Sequence, residues 1–232
     1  MSTLLLRLAA PLQSWGTDSK FDVRRTGREP SKSGVIGMLA AAMGISREDE
    51  EQMQVLARLR FGVRVDREGT LLRDYQTVKA KQNKIYGPAK DMAYVTNRYY
   101  LSDAVFLAGL EGERELLETL QEALRHPAYP LYLGRRSCPP AGRVLIGIRE
   151  LSLEEALQKE TLQVASPRIK NQSPVRMVTE IREGTPRGRL VHDQPVSFSQ
   201  KNRQFAFRRV TETVFMQNGT EWEEHDPMKE LE

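Results

Sequence analysis

Four basic side chains, Arg24, Arg25, Arg28 and Lys32, fall within nine residues of the stretch FDVRRTGREPSKSGVIG, Phe21 to Gly37. Lys32-Ser33 then leads into a small apolar run. Such a pair at the start of a helix suggests a grip on phosphate, because free backbone amides and the positive end of the helix dipole attract an anion. The segment is not a nucleotide-hydrolysing loop. That chemistry needs G-x-x-x-x-G-K-[ST], with glycines that let backbone amides wrap the phosphates. Thr26 and Ser31 stand at the two glycine positions here, and Gly27 is out of register. Taken alone, the segment favours simple helix capping by Ser31 or Ser33.

Two further segments carry recognition chemistry. YLGRRSCPP, Tyr132 to Pro140, sets Gly134 before Arg135 and Arg136, and Pro139-Pro140 stiffens the exit. Guanidinium groups make planar, bidentate contacts with phosphates and base edges. RQFAF matches part of a base-stacking motif of RNA-recognition modules: Arg203, Phe205, Ala206 and Phe207 fit, whereas Gln204, Arg208 and Val210 do not. One-sided core packing explains the alternating Phe205 and Phe207 as well as base stacking does. Catalytic signals are thin. The histidines are His126, His192 and His225, of which His192 has Asp193 beside it to pair with. Neither HExxH nor G-x-S-x-G nor a paired-carboxylate motif occurs. Cys138 is the single cysteine, so no intramolecular disulfide or cysteine metal cage can form. No metal or cofactor is expected.

The elements that position these groups read as follows. Thr3–Leu8 is a strand and Leu12–Thr26 a long irregular loop. A helix is entered at Ser31 to Ser33 and ended by Gly44, with Val35, Ile36, Leu39 and Met43 at helical spacing. A second short helix starts at Ser46. Phe61–Val65 and Leu71–Val78 read as strands, Tyr99–Leu110 as one strong strand, Glu113–Arg125 as a helix with a leucine stripe, and Val144–Ile148 as a strand. Strand, helix, strand, strand, helix, strand is the order of an α+β, ferredoxin-like and RRM-like βαββαβ body. Residues 79–98, with YGP in their middle, read as a protruding loop or hairpin inside a domain of residues 1–150. Residues 151–232 read as a small, mostly β C-terminal subdomain with a short helix at Leu153–Glu160 and an acidic tail.

The 232 residues carry a formal net charge of only +4, but the charge is uneven. Lys20–Gly37 holds five basic against two acidic residues, Lys79–Arg98 five against one, and Arg168–Arg209 ten against three, while Glu212–Glu232 reverses to one against seven. Three basic segments point to a polyanion, with nucleic acid the leading class. The N-terminal STLLLRLAAPL is too short to span a membrane and is interrupted by Arg7, so it reads as a buried strand of a cytoplasmic protein.

Six blocks together resemble a known family: LRLAAPLQSWG, PSKSGVIGMLAAAMGI, LRDYQTV, YYLSDAVF, YPLYLGRRSCP and RQFAFRRV. They are similar to the CasD-type subunits of type I-E CRISPR Cascade complexes, in the RAMP superfamily of RNA-binding proteins, and lie in that family's order. The resemblance implies an RNA-recognition-like body, a thumb at about 79–98 and a small C-terminal subdomain. It implies a non-catalytic subunit that holds the 5′ handle of the CRISPR RNA and caps one end of the backbone filament. Its partners would be CRISPR RNA, the repeated backbone subunit and the large subunit, with target DNA met only through the complex. Some type I-C relatives cut precursor RNA, so a metal-independent endoribonuclease is the alternative. On this resemblance Arg24, Arg25, Lys32 and Ser33 grip RNA phosphates, with Arg135, Arg136 and Ser137 on the facing loop. Gln13 and Trp15 meet a base. Tyr75, Lys79, Lys81, Lys84 and Arg98 carry the strand toward the thumb, and Arg203 adds a further RNA contact.

Overall fold

The structure, a computed structural model, describes residues 1–17, 22–81, 91–164, 173–182 and 188–217. Its elements in chain order are β1 (Ser2–Ala9), β2 (Leu12–Gln13), β3 (Val23–Arg24), α1 (Lys32–Met43), α2 (Glu50–Ala57), β4 (Arg60–Arg67), β5 (Thr70–Lys81), β6 (Asp91–Ser102), β7 (Val105–Gly112), α3 (Arg114–Arg125), β8 (Leu145–Arg149), α4 (Leu153–Lys159), β9 (Ser173–Glu180), β10 (Arg189–Ser197) and β11 (Gln204–Gln217). Seven strands form one sheet in the order β10-β11-β9-β4-β7-β1-β8, antiparallel at every pairing. A second sheet contains β2, β3 and the β5–β6 hairpin.

The consecutive leucines Leu4, Leu5 and Leu6 of β1 are a sign of burial on both faces. Leu4, Leu6 and Leu8 pack under α1 and α3, against Val35, Ile36, Leu39, Leu117 and Leu120. Leu5 points the other way, onto Leu153, Ala156 and Leu157 of α4. That helix lies close against β7, where a Cβ on Gly109 would come within 2.7 Å of Leu153 Cδ1. Arg64 fixes the end of α4. It is fully buried, and its five donors are spent on Asp66 and on the carbonyls of Leu157, Glu160 and Thr161, at 2.6–3.0 Å. The sheet face on which RNA-recognition modules stack bases is therefore covered here by protein.

Several expectations change. The C-terminal strands join the main sheet, with β9 paired to β4. β10 is not expected as a strand: its buried positions Asp193, Pro195 and Ser197 do alternate, but they are not apolar side chains of the usual strand type, and its register with β11 shifts twice. The second helix starts at Glu50 under an Asp49 cap, not at Ser46. Tyr99–Leu110 is two strands in two sheets, broken at Asp103, whose φ is 56°. Gly69 faces this break with φ +72°, and a Cβ there would overlap the Ser102 carbonyl oxygen. Leu71–Val78 is accordingly an arm of the hairpin, which begins at Thr70 rather than near residue 79. Residues 82–90, between β5 and β6, and those from 218 onward, where the acidic tail is expected, lie outside the described residues.

Candidate nucleic-acid interface

The helix start at Lys32-Ser33 is closed to an outside phosphate. Ser31 is the N-cap and accepts from the Gly34 amide at 3.2 Å. The Lys32 amide donates to Asp193 Oδ2 at 2.7 Å, so a carboxylate of the chain's own β10 occupies the positive end of α1. Arg208 clamps the same carboxylate through Nε at 2.6 Å and Nη2 at 2.9 Å. The Lys32 ammonium is 1% exposed and donates to both oxygens of Glu180, at 3.1 and 2.9 Å. Burial pushes its pKa below the ordinary lysine value, and Glu180 opposes that shift. Ser33 is buried too. Lys32 and Ser33 are thus structural groups, a correction to their expected role on RNA.

Gln13 and Trp15 are corrected in the same way. Gln13 is fully buried and donates to the carbonyls of Leu8 and Ala104 at 3.2 and 2.8 Å. Its Oε1 accepts from the Trp15 indole at 3.0 Å, and Trp15 packs on α1 at Gly34. Neither side chain can meet a base. Gln13→Ala would leave the indole N–H and two buried carbonyls without their partner. The expected cost is about 1–3 kcal/mol, read as a lower urea midpoint. RNA affinity and its salt slope stay at the wild-type values; a changed slope would return Gln13 to the RNA surface.

His192 does not pair with Asp193. Neighbours along a strand point to opposite faces. The ring of His192 instead meets the Phe205 carbonyl at 3.1 Å and lies against Phe207, with centroids 4.6 Å apart. Phe207 is exposed and is no core residue, whereas Phe205 packs edge-on against Phe198. Burial pushes the Cys138 thiol upward, so it stays protonated near neutral pH.

Much of the basic C-terminal segment is neutralised internally. Arg176 and Arg189 pair with Glu29, Arg182 with Glu111, and Arg208 with Asp193. The arginines of the first two segments behave differently. In the parallel pair β3–β6, Arg24 stands directly beside Arg98. Arg135 reaches across from the 134–137 loop and donates to the carbonyls of Arg24 and Arg25, at 2.8 and 3.4 Å. Its guanidinium lies 4.7 Å from the Tyr100 ring centre, two residues along β6 from Arg98. The loop is seated by Gly134, at φ +85°, where a Cβ would overlap the Ser14 carbonyl oxygen. The Arg24 loop is tied down by the Trp15 amide on Thr26 Oγ1, at 2.9 Å.

Arg24, Arg98 and Arg135 thus share one site, with the Arg25 carbonyl beside it, and among the described residues none of these arginines forms an ion pair. Arg98 Nε and Arg135 Nη1 are buried with no hydrogen-bond partner. Like charges set side by side on paired strands repel, and an anion between them removes that cost. Arg136 and Ser137 are exposed on the same loop. On the other side of β6, Asp74 of β5 stands opposite Arg98 in register and accepts from the Gln76 side chain at 2.8 Å, and the exposed Tyr75 stands opposite Asn97. Arg203 lies elsewhere, stacked on Phe205 at 5.0 Å. The side chains of Lys79 and Lys81 and the whole of Lys84 lie outside the described residues. No helix among the described residues is long and apolar enough to cross a membrane.

Comparison with known proteins gives the same direction. A family model described as "CRISPR-associated protein (Cas_Cas5)" matches residues 3–211. The chain is 37% identical over 163 residues to the "CRISPR system Cascade subunit CasD" of Escherichia coli (strain K12), covering 65% of this chain and 73% of that one. A solved structure described as "Crystal structure of Cas protein" superposes with a TM-score of 0.72 at 42% identity, over 93% of this chain and 95% of the other. A chain of a "CRISPR RNA-guided surveillance complex" superposes with a TM-score of 0.77 at 32% identity, over 93% and 90%.

Proposed function

Since the chain belongs to the Cas5 family of CRISPR-associated proteins, we propose that it is the CasD-type subunit of a cytoplasmic Cascade complex and binds CRISPR RNA without cutting it. The observation that carries this reading is the Arg24–Arg98–Arg135 cluster, gathered from three separate segments and forming no ion pair among the described residues. A backbone phosphate supplies the charge and the acceptors that these guanidiniums lack. The RNA segment held is the 5′ handle, and the subunit caps the backbone filament beside the large subunit. We read the β8-β1-β7-β4 run, all antiparallel and spanned by α1–α2 and α3, as a ferredoxin-like body. The β5–β6 hairpin is the thumb. Its exposed Leu71, Tyr75 and Val78 suit contact with a neighbouring subunit.

The test mixes the purified chain with labelled repeat RNA in EDTA and resolves it on native and denaturing gels. The expected result is a shifted, intact RNA. Arg24→Gln with Arg98→Gln weakens binding and lowers the salt slope by about 0.7 for each phosphate no longer held. An unchanged slope removes the cluster from the RNA surface. A discrete shortened product that unfolding abolishes would replace the binding reading with an endoribonuclease.

A further inference from the structure

A pocket of about 620 Å³ opens between α1, the segment that follows it and the 129–139 loop. Its floor is small and apolar, with Ala40 and Ala41 of α1. Its walls carry two phenol rings, Tyr129 and Tyr132, and two guanidiniums, Arg47 and Arg136, with no carboxylate in the lining. Tyr129, Arg47 and Arg136 are all exposed. A third cation, Arg203, is close enough to feel Arg47 and Tyr132, and desolvation followed by the Arg47 charge holds its pKa below the ordinary arginine value. Glu48, the nearby acid, accepts from the Gln200 amide at 3.2 Å and makes no ion pair with these arginines among the described residues. The pocket therefore joins YLGRRSC to Arg47, which no motif singled out, while Arg203 of RQFAF lies outside its lining.

The contents of this lining select a ligand. An apolar knob from a protein would fill the floor but leave crowded cations desolvated and uncompensated. A nucleotide answers both needs, with a planar ring for a tyrosine face and a phosphate for the arginines. We propose that this pocket holds one unstacked base of the bound RNA, its ring against Tyr132 or Tyr129 and its phosphate between Arg47 and Arg136. The proposal rests on the RNA-binding reading above, and adds that the subunit reads one position of the RNA by its base.

An abasic scan tests it: repeat RNAs each lacking one base are titrated against the full chain. One position is expected to lose about tenfold in affinity, the scale of one base–aromatic stack. Tyr132→Ala, and Ala41→Leu as a variant that only fills the floor, lose a similar factor on intact RNA. Both lose nothing more on the RNA abasic at that position, and Tyr132→Phe keeps wild-type affinity. A flat scan, or losses that add, overturns the pocket while the Arg24 and Arg98 salt slope still upholds RNA binding. A flat scan in which Tyr132→Ala instead releases the chain from its protein partners makes the pocket a protein socket and overturns the proposal. Absence of any RNA binding overturns both readings.

Discussion

Asp193→Ala lowers the free energy of unfolding by about 3–5 kcal/mol, the cost of stripping one partner from a buried charge pair. Asp193 is 1% exposed and serves two elements at once. It accepts from the first amide of α1 and from two nitrogens of Arg208 on β11. Without it, the Arg208 guanidinium is buried with no acceptor, since its Nη1 already has none. The Lys32 amide also loses its bond, and the positive end of α1 its anion. Glu180 holds Lys32 independently, so the helix stays in place and the loss is energetic. Denaturant unfolding of the variant beside Asp193→Asn checks this, because the amide keeps one acceptor for Arg208 and loses less. Equal stability of wild type and Asp193→Ala would show that the network contributes nothing.

Gly134→Val removes the RNA grip without touching an arginine. The left-handed backbone at φ +85° costs a residue with a Cβ about 1–2 kcal/mol, more when β-branched. The larger effect is steric, because the new side chain overlaps the Ser14 carbonyl and the 134–137 loop must lift from the Ser14 backbone that follows β2. Arg135 then leaves the Arg24 and Arg25 carbonyls and the Tyr100 ring. RNA affinity is expected to fall by about tenfold or more, the scale of one charge-assisted hydrogen bond, with a shallower salt slope. Titrations at two salt concentrations read both. Full affinity with the wild-type slope would mean that the seating of this loop is irrelevant to RNA.

The sequence was sufficient wherever the information was local. The burial of β1, the Ser31 cap, the leucine stripe of α3 and the arginine-bearing loop at 135–136 follow from adjacent residues and stand at or near the expected positions, whereas Arg24, expected in a loop, lies in strand β3. Boundaries failed where geometry overrode pattern. The break at Asp103 is marked only by Ser102-Asp103 within an otherwise apolar run, and β10, RLVHDQPVS, does not alternate apolar with polar residues in sequence. The pocket at Tyr132 carried no contiguous signal, since its parts come from α1, the segment after it and two loops.

Charge marks the division most clearly. Counting along the chain finds basic segments, but a charge is spent or left free by what lies within a few ångströms of it. Lys32 stands in the most suggestive basic run of the sequence, yet its partners Glu180 and Asp193 are 148 and 161 residues away and take up both its ammonium and its amide. Arg98, inside a weakly patterned segment, ends beside Arg24 because two strands pair in parallel. The sequence by itself determined that this protein has cations to offer a polyanion. Only the tertiary structure decided which of them it had already used to hold itself together.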